Sequence, residues 1–297
     1  MKATAMPDSA AMREGQRAEM LGMLDRALVV YRQLAEGSDD PDIRAEALWR
    51  QADVLRVQCQ WSDGIESARR AQQVAAGAGL PRRHAEALNA EASIYLARGD
   101  LAQARALFET LASTADDLRM RGIGLQNLGS VHAQQGELDL AERVFAESHA
   151  CFVRCGYERG QAIALNNQGR IALERGDHVR ASAILVRAEE AARRVEDEEL
   201  IALSTTNLAD AALAMGDMEL AHDRVCTALG HFRASGNRWR EIECLRLLGT
   251  INERRGAREE ARRCYERGLR LAGEIDARME ITALTSLLEK LEHAPED

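Results

Sequence analysis

The chain has 297 residues, 46% of them hydrophobic and 29% charged, and 39 basic against 48 acidic side chains leave a formal net charge of −9. That mixture can bury a core, which excludes a wholly disordered chain. Four prolines and 4% aromatic residues, beside abundant Ala, Leu, Arg and Glu, favour helix and leave little material for a β-sandwich, a barrel or a base-stacking platform.

In chain order, residues 1–8 have no apolar signal core and are expected to be frayed. No apolar run reaches the roughly 18–20 residues needed to cross a bilayer, so the chain reads as cytoplasmic with no membrane partner. From residue 9 to about residue 275 a period of about 40 residues takes over, and such periods mark stacked repeats. Gly99, Gly136, Gly176, Gly216 and Gly256 recur at that period. Each is preceded by a small residue (Ala92, Gly129, Gly169, Ala209, Gly249) and followed by an alanine (Ala104, Ala141, Ala181, Ala221, Ala261) at fixed distance. Extrapolating backward reaches Cys59, flanked by Ala52 and Gly64, then Gly22, flanked by Gly15 and Ala27, for about seven units.

Within a unit, apolar and small residues fall at i, i+3 and i+4 on both sides of the glycine, the signature of two amphipathic helices. Glycine ends the first helix because it enters the left-handed backbone region without a Cβ clash. Cys59 replaces that glycine in the second unit, so a less regular turn is expected there. Pro41 and Pro81 suit first-turn positions. Residues 276–293 form a last amphipathic stretch, with Glu289 where a buried small residue would sit, and read as a solvated cap. Residues 294–297 are expected to fray, and neither a linker nor a second domain is visible.

The sequence of small residue, Gly, Ala and then an aromatic or aliphatic residue (Ala141 with Phe145, Ala181 with Leu185, Ala261 with Tyr265) resembles the tetratricopeptide repeat. The long period is similar to the subclass found in kinesin light chains, LGN-type adaptors and the Rap- and MalT-like bacterial regulators. The resemblance implies an all-α, right-handed superhelical solenoid of about seven helix-turn-helix repeats plus a C-terminal capping helix. It leaves function open, because such arrays serve many partners.

The first helix of each pair is expected to line an inner groove. Asn127, Asn167 and Asn207 recur there at the repeat period, with Gln126 and Asn166 beside them. A carboxamide offers both donor and acceptor, which suits the main chain of an extended peptide. The same residues equally suit a solvated polar face or hydrogen bonds between neighbouring repeats. Arg170, Arg246 and Arg254, near Asp210, are suited to an acidic side chain or a terminal carboxylate; solvated ion pairs along the helices explain them as well. Trp49 is expected to face inward near the N-terminal end, as an anchor or as packing. Basic residues form no continuous stripe, so no nucleic-acid partner is expected.

Cys59, Cys151, Cys155, Cys226, Cys244 and Cys264 have no metal-ligand spacing, and neither metal nor cofactor is expected. No nucleophile elbow, phosphate loop or HExxH is present. His132 reads as a packing residue, and the pairs Glu189-Glu190 and Glu198-Glu199 as exposed and solvating. The sequence thus points to a non-catalytic module that holds an extended or helical segment of a protein or peptide partner. The alternative is a regulatory sensor whose peptide or small-molecule ligand alters the shape of the array and its affinity for an output partner. Self-association through the end repeats is a further possibility, whereas a Rap-type phosphatase would need an N-terminal bundle for which the repeats leave no room.

Overall fold

A computed structural model of the protein describes residues 8–293, which are helical apart from the turns between helices. The chain divides into two compact units, the first ending at Tyr157 and the second beginning at Glu158. The first unit contains four helical hairpins: α1 (Asp8–Met20) with α2 (Leu24–Gly37), α3 (Pro41–Val57) with α4 (Trp61–Gly77), α5 (Pro81–Arg98) with α6 (Leu101–Thr114), and α7 (Leu118–Gln134) with α8 (Leu138–Arg154). The second contains three: α9 (Glu158–Glu174) with α10 (His178–Arg194), α11 (Glu198–Ala214) with α12 (Met218–Ser235), and α13 (Arg238–Arg254) with α14 (Arg258–Glu274). The cap, α15 (Arg278–His293), completes it. Within each unit every helix packs on its successor. The first helices of adjacent hairpins also touch directly, α3 on α5, α5 on α7, α9 on α11 and α11 on α13.

Local chemistry accounts for the boundaries. Asp40, Asp117, Asp177, Asp197, Asp217 and Asn237 cap the following helices, each side chain accepting from a backbone N–H of the first turn. Pro41 and Pro81 occupy first-turn positions. In the second hairpin Cys59 adopts the left-handed conformation itself, at φ 58°, so the turn keeps its shape without glycine. The expectation that residues 1–8 fray is corrected at Asp8. This residue opens α1, and its carboxylate accepts a 2.5 Å hydrogen bond from Ser38 Oγ. Residues 1–7 and 294–297, also expected to fray, lie outside the described residues. The cap forms as expected, with Leu284 fully buried and Glu289 exposed.

The core explains the repeat. Ala27, Ala104, Ala141, Ala181, Ala221 and Ala261 are all fully buried where paired helices cross. Gly129 is needed because the Phe145 ring lies against its backbone; a Cβ there would come within 2.6 Å of that ring. Gly15 makes the same allowance for Tyr31, again at 2.6 Å. At these two positions a methyl group would overlap the ring, whereas the third repeat packs Ala92 beside Phe108 with both fully buried.

Several buried charges join helices. Glu241, with no exposed surface, receives Arg238 and Arg267 at 2.9 Å and Arg233 at 3.3 Å, tying α12, α13 and α14 together. Glu189, expected to be solvated, is instead buried. Its carboxylate is held by Arg193 at 2.9 Å and Thr205 at 2.8 Å, which satisfies the lone pairs that burial would otherwise strand. Glu190, Glu198 and Glu199 are exposed, as expected. His132 is buried against the hairpin turn, its Nδ1 2.6 Å from Glu137 Oε2. Among the described residues no helix is long and apolar enough to cross a membrane.

Candidate functional site

In the second unit, α9, α11 and α13 lie side by side while their apolar faces are covered by α10, α12 and α14. The opposite faces carry polar residues and enclose a crevice of about 180 Å³. Arg170 from α9, Asn207 and Asp210 from α11, and Arg246 from α13 converge on it. Four of the nine residues singled out in the sequence therefore meet in one place. The same crevice adds Arg240 and Glu243 from α13, while Leu203, Thr206 and Leu247 provide a less polar wall. Three arginines and two carboxylates line it, and Glu174 and Glu280 pair with Arg170 and Arg246 from its rim.

The arginines are engaged, though loosely. Arg170 pairs with Glu174 at 2.9 Å, Arg240 with Glu243 at 2.6 Å and Arg246 with Glu280 at 3.1 Å. Their side chains keep between 39% and 42% of their surface exposed, and ion pairs so exposed are worth about 0–1 kcal/mol. A ligand carboxylate can displace them at little cost. Asp210 has no partner within hydrogen-bonding reach among the described residues. Burial of its carboxyl raises its pKa above the usual carboxylate range, against the opposing fields of Arg246, His178 and Arg254. Arg254 itself turns toward α11 and donates to the carbonyl of Leu213 at 3.3 Å.

The asparagine column is partly occupied by the fold. Asn207 Nδ2 donates to Asn166 Oδ1 at 2.9 Å, and Ser204 Oγ reaches the same oxygen at 3.3 Å. Asn166 is thereby buried behind the face that Asn207 presents. In the first unit Asn127 Nδ2 donates to Asn89 Oδ1 at 3.0 Å, forming an equivalent rung between α7 and α5. Gln126 is half-buried beside it. Asn167 is half-buried with no side-chain partner among the described residues. The structure thus realises hydrogen bonds between neighbouring repeats for Asn127 and Asn207. Among the described residues each amide still has an unused carbonyl oxygen and one N–H. Among the described residues no group of three or more His, Cys, Asp or Glu is placed to hold a metal ion.

A tetratricopeptide-repeat family model matches residues 123–194. Solved structures share the architecture over nearly the whole chain. The apo form of RapI is 14% identical, with a TM-score of 0.69, covering 94% of this chain and 100% of its own. A Rap protein complexed with Competence and Sporulation Factor is 15% identical, with a TM-score of 0.70, covering 93% and 80%. Residues 123–194 thus match tetratricopeptide repeats, and the described chain shares the fold of such arrays. A signal transduction ATPase with numerous domains from Pyrococcus horikoshii, which carries a tetratricopeptide repeat sensor, is 10% identical with a TM-score of 0.70; the match spans 93% of this chain and 44% of that one. No curated protein matches the sequence.

In tetratricopeptide terms the crevice is built from three successive first helices, and this is what sequence reasoning resolved only in part. Arg170 and Asp210 each directly follow the small residue of their repeat, Gly169 and Ala209, so their place beside the asparagine column is readable although the residue type there changes. Arg240, Glu243 and Thr206 lie in columns whose residue type changes from repeat to repeat. Their helical phase places them near the inner face, and only the packing of α11 on α13 brings them together.

Proposed function

We propose that the protein is a non-catalytic interaction module whose second unit holds a carboxylate-bearing segment of a protein or peptide partner. The observation that carries this reading is the convergence of Arg170, Arg240 and Arg246 around Asn207 and Asp210, on three helices that are rigidly packed behind. The carboxylate, from an acidic side chain or a chain terminus, exchanges with the exposed rim pairs and gains bidentate guanidinium bonds. The free oxygen of Asn207 takes a main-chain N–H, and Asp210 receives a second. Asn166 acts from behind by fixing the Asn207 amide. Because the walls are helices held by a close-packed core, the partner bears most of the ordering entropy. The likeness to the Rap protein that binds Competence and Sporulation Factor is consistent with such a use.

The test is a screen of acetylated hexapeptides with a free or an amidated C-terminus and with or without internal Asp and Glu, measured by calorimetry. Carboxylate-bearing members should bind, and the double change Arg170→Ala and Arg246→Ala should weaken them at least tenfold while circular dichroism stays unchanged. Equal binding by neutral, amidated peptides would remove the proposal. A regulatory version, favoured by the sensor region named in the Pyrococcus horikoshii protein, uses the same crevice as a switch. It requires that a bound peptide slow hydrogen exchange in α11 and α13 beyond the residues it touches.

A further inference from the structure

The first unit carries a crevice of its own on the first helices α3, α5 and α7, lined by three acids and two arginines. It encloses about 190 Å³. Asp53, Glu86 and Asp117 line it beside Arg82 and Arg119, Arg56 and Arg83 reach Asp53 and Glu86 from its edge, and Trp49 and Met120 form an apolar wall. A wider depression of about 670 Å³ shares Trp49, Arg82, Glu86 and Arg119, adds Arg50 and Arg83 paired with Glu46 and Asp42, and opens onto the surface.

The acids differ in how far they are already satisfied. Glu86 is engaged through both oxygens, by Arg82 at 3.1 Å and Arg83 at 2.9 Å. Asp117 caps α7 through the backbone N–H of Arg119 at 2.8 Å. Arg119 extends its guanidinium over the Tyr157 ring, 4.2 Å from the centroid. Asp53 has one long contact, from Arg56 Nε to Oδ1 at 3.3 Å, and its Oδ2 has no donor among the described residues. Burial pushes the Asp53 carboxyl above the usual carboxylate range, against the fields of Arg56 and Arg50. Trp49 stands one helical turn before Asp53, and its ring already carries a cation, the Arg50 guanidinium, at 4.5 Å. The Trp49 indole N–H is buried without a partner among the described residues.

We propose that this crevice is a second binding site, independent of the carboxylate site in the other unit, and that it takes a primary ammonium group carried on an alkyl chain. Asp53 serves as counter-ion through its free oxygen and Trp49 as the wall along the alkyl stem. A compact point donor fits one free carboxylate oxygen better than a planar fork, which needs two. An indole adds attraction for a cation of about 0.5–2 kcal/mol. A lysine side chain of an extended peptide has this form, and the wider depression accommodates its flanking residues.

The experiment uses the full chain with Trp61→Phe and Trp239→Phe, so that fluorescence reports Trp49. The probes are acetyl-Ala-Lys-Ala-amide, its norleucine and glutamate counterparts, and spermidine. The lysine peptide should quench saturably and bind at least tenfold more tightly than the norleucine peptide. Asp53→Asn should abolish that difference, and Arg246→Ala in the second unit should leave it intact. The ratio between lysine peptide and spermidine identifies the source of the ammonium group, either preference supporting the site. Equal binding of lysine and norleucine peptides, preference for glutamate, no saturable change with any cation, or a folded Asp53→Asn protein that retains the difference would each overturn it. The lysine–norleucine comparison requires no change at Asp53 and so stands even if that variant fails to fold.

Discussion

At Gly129 a single hydrogen atom decides whether a hairpin closes. Alanine there meets the Phe145 ring edge at 2.6 Å, in a core with no slack. Gly129→Ala should destabilise the first unit by about 1–3 kcal/mol, the usual cost of overpacking, read as a lower urea midpoint. The paired change Gly129→Ala with Phe145→Leu should recover part of the loss, because leucine has no ring edge at that point. The thiols give a second prediction at this scale. Cys59, Cys155 and Cys226 are exposed, whereas Cys151 and Cys244 are buried. Burial pushes the Cys244 thiol up to about 11 from an ordinary value near 9. At pH 8 the exposed thiols should react with a disulfide reagent well before Cys244, because the thiolate is the nucleophile. The raised value means that folding favours the protonated form. The stability Cys244 contributes is therefore complete below pH 9 and is lost as pH rises through about 11, so Cys244→Ala should flatten the alkaline limb of a stability profile.

Between elements, the buried glutamates do work that apolar patterning does not announce. Glu241 stands on α13 yet draws arginines from α12 and α14, and Glu189 joins α10 to α11 in the same manner. Glu241→Ala would leave three guanidinium groups without their common acceptor, and because these keep 40–47% of their surface exposed and can be hydrated, a loss of about 1–3 kcal/mol is expected. Thermal and urea unfolding check this, and Glu241→Gln should recover some of the loss through its remaining acceptor. The hairpins, their turns and the cap were legible in the sequence, since Gly136, Ala141 and Phe145 repeat a fixed geometric requirement. Glu189 was misread because a charged residue inside a helical run ordinarily faces water. Its burial depends on an acceptor–donor match with Thr205, a repeat away in the array. The crevice was legible where a residue recurs in a column, as Asn207 does with Asn127 and Asn167, and at Arg170 and Asp210, which lie beside that column. Arg240 and Glu243 join it through tertiary packing, and the withdrawal of Asn166 behind Asn207 depends on a side-chain hydrogen bond that spacing cannot reveal.

For the whole molecule, packing runs from each helix to its near neighbours in the chain, and two compact units result. In arrays of this kind stability is approximately a sum of local terms, so a single all-or-none transition is not required. Trp49 and Trp61 lie in the first unit and Trp239 in the second, which lets fluorescence separate them. Urea unfolding followed with Trp239→Phe and with Trp49→Phe plus Trp61→Phe should give different midpoints; coincident curves would show that the units melt as one. The amide rungs carry a last consequence. Asn127 meets Asn89, and Asn207 meets Asn166, so the group that gives a proton and the group that receives it are of one kind. The hairpin α9–α10 carries both columns, Asn166 and Asn167, so a tandem copy of that hairpin arrives with a matching partner for its neighbour. Lengthening such a gene by internal duplication needs no compensating change at these positions.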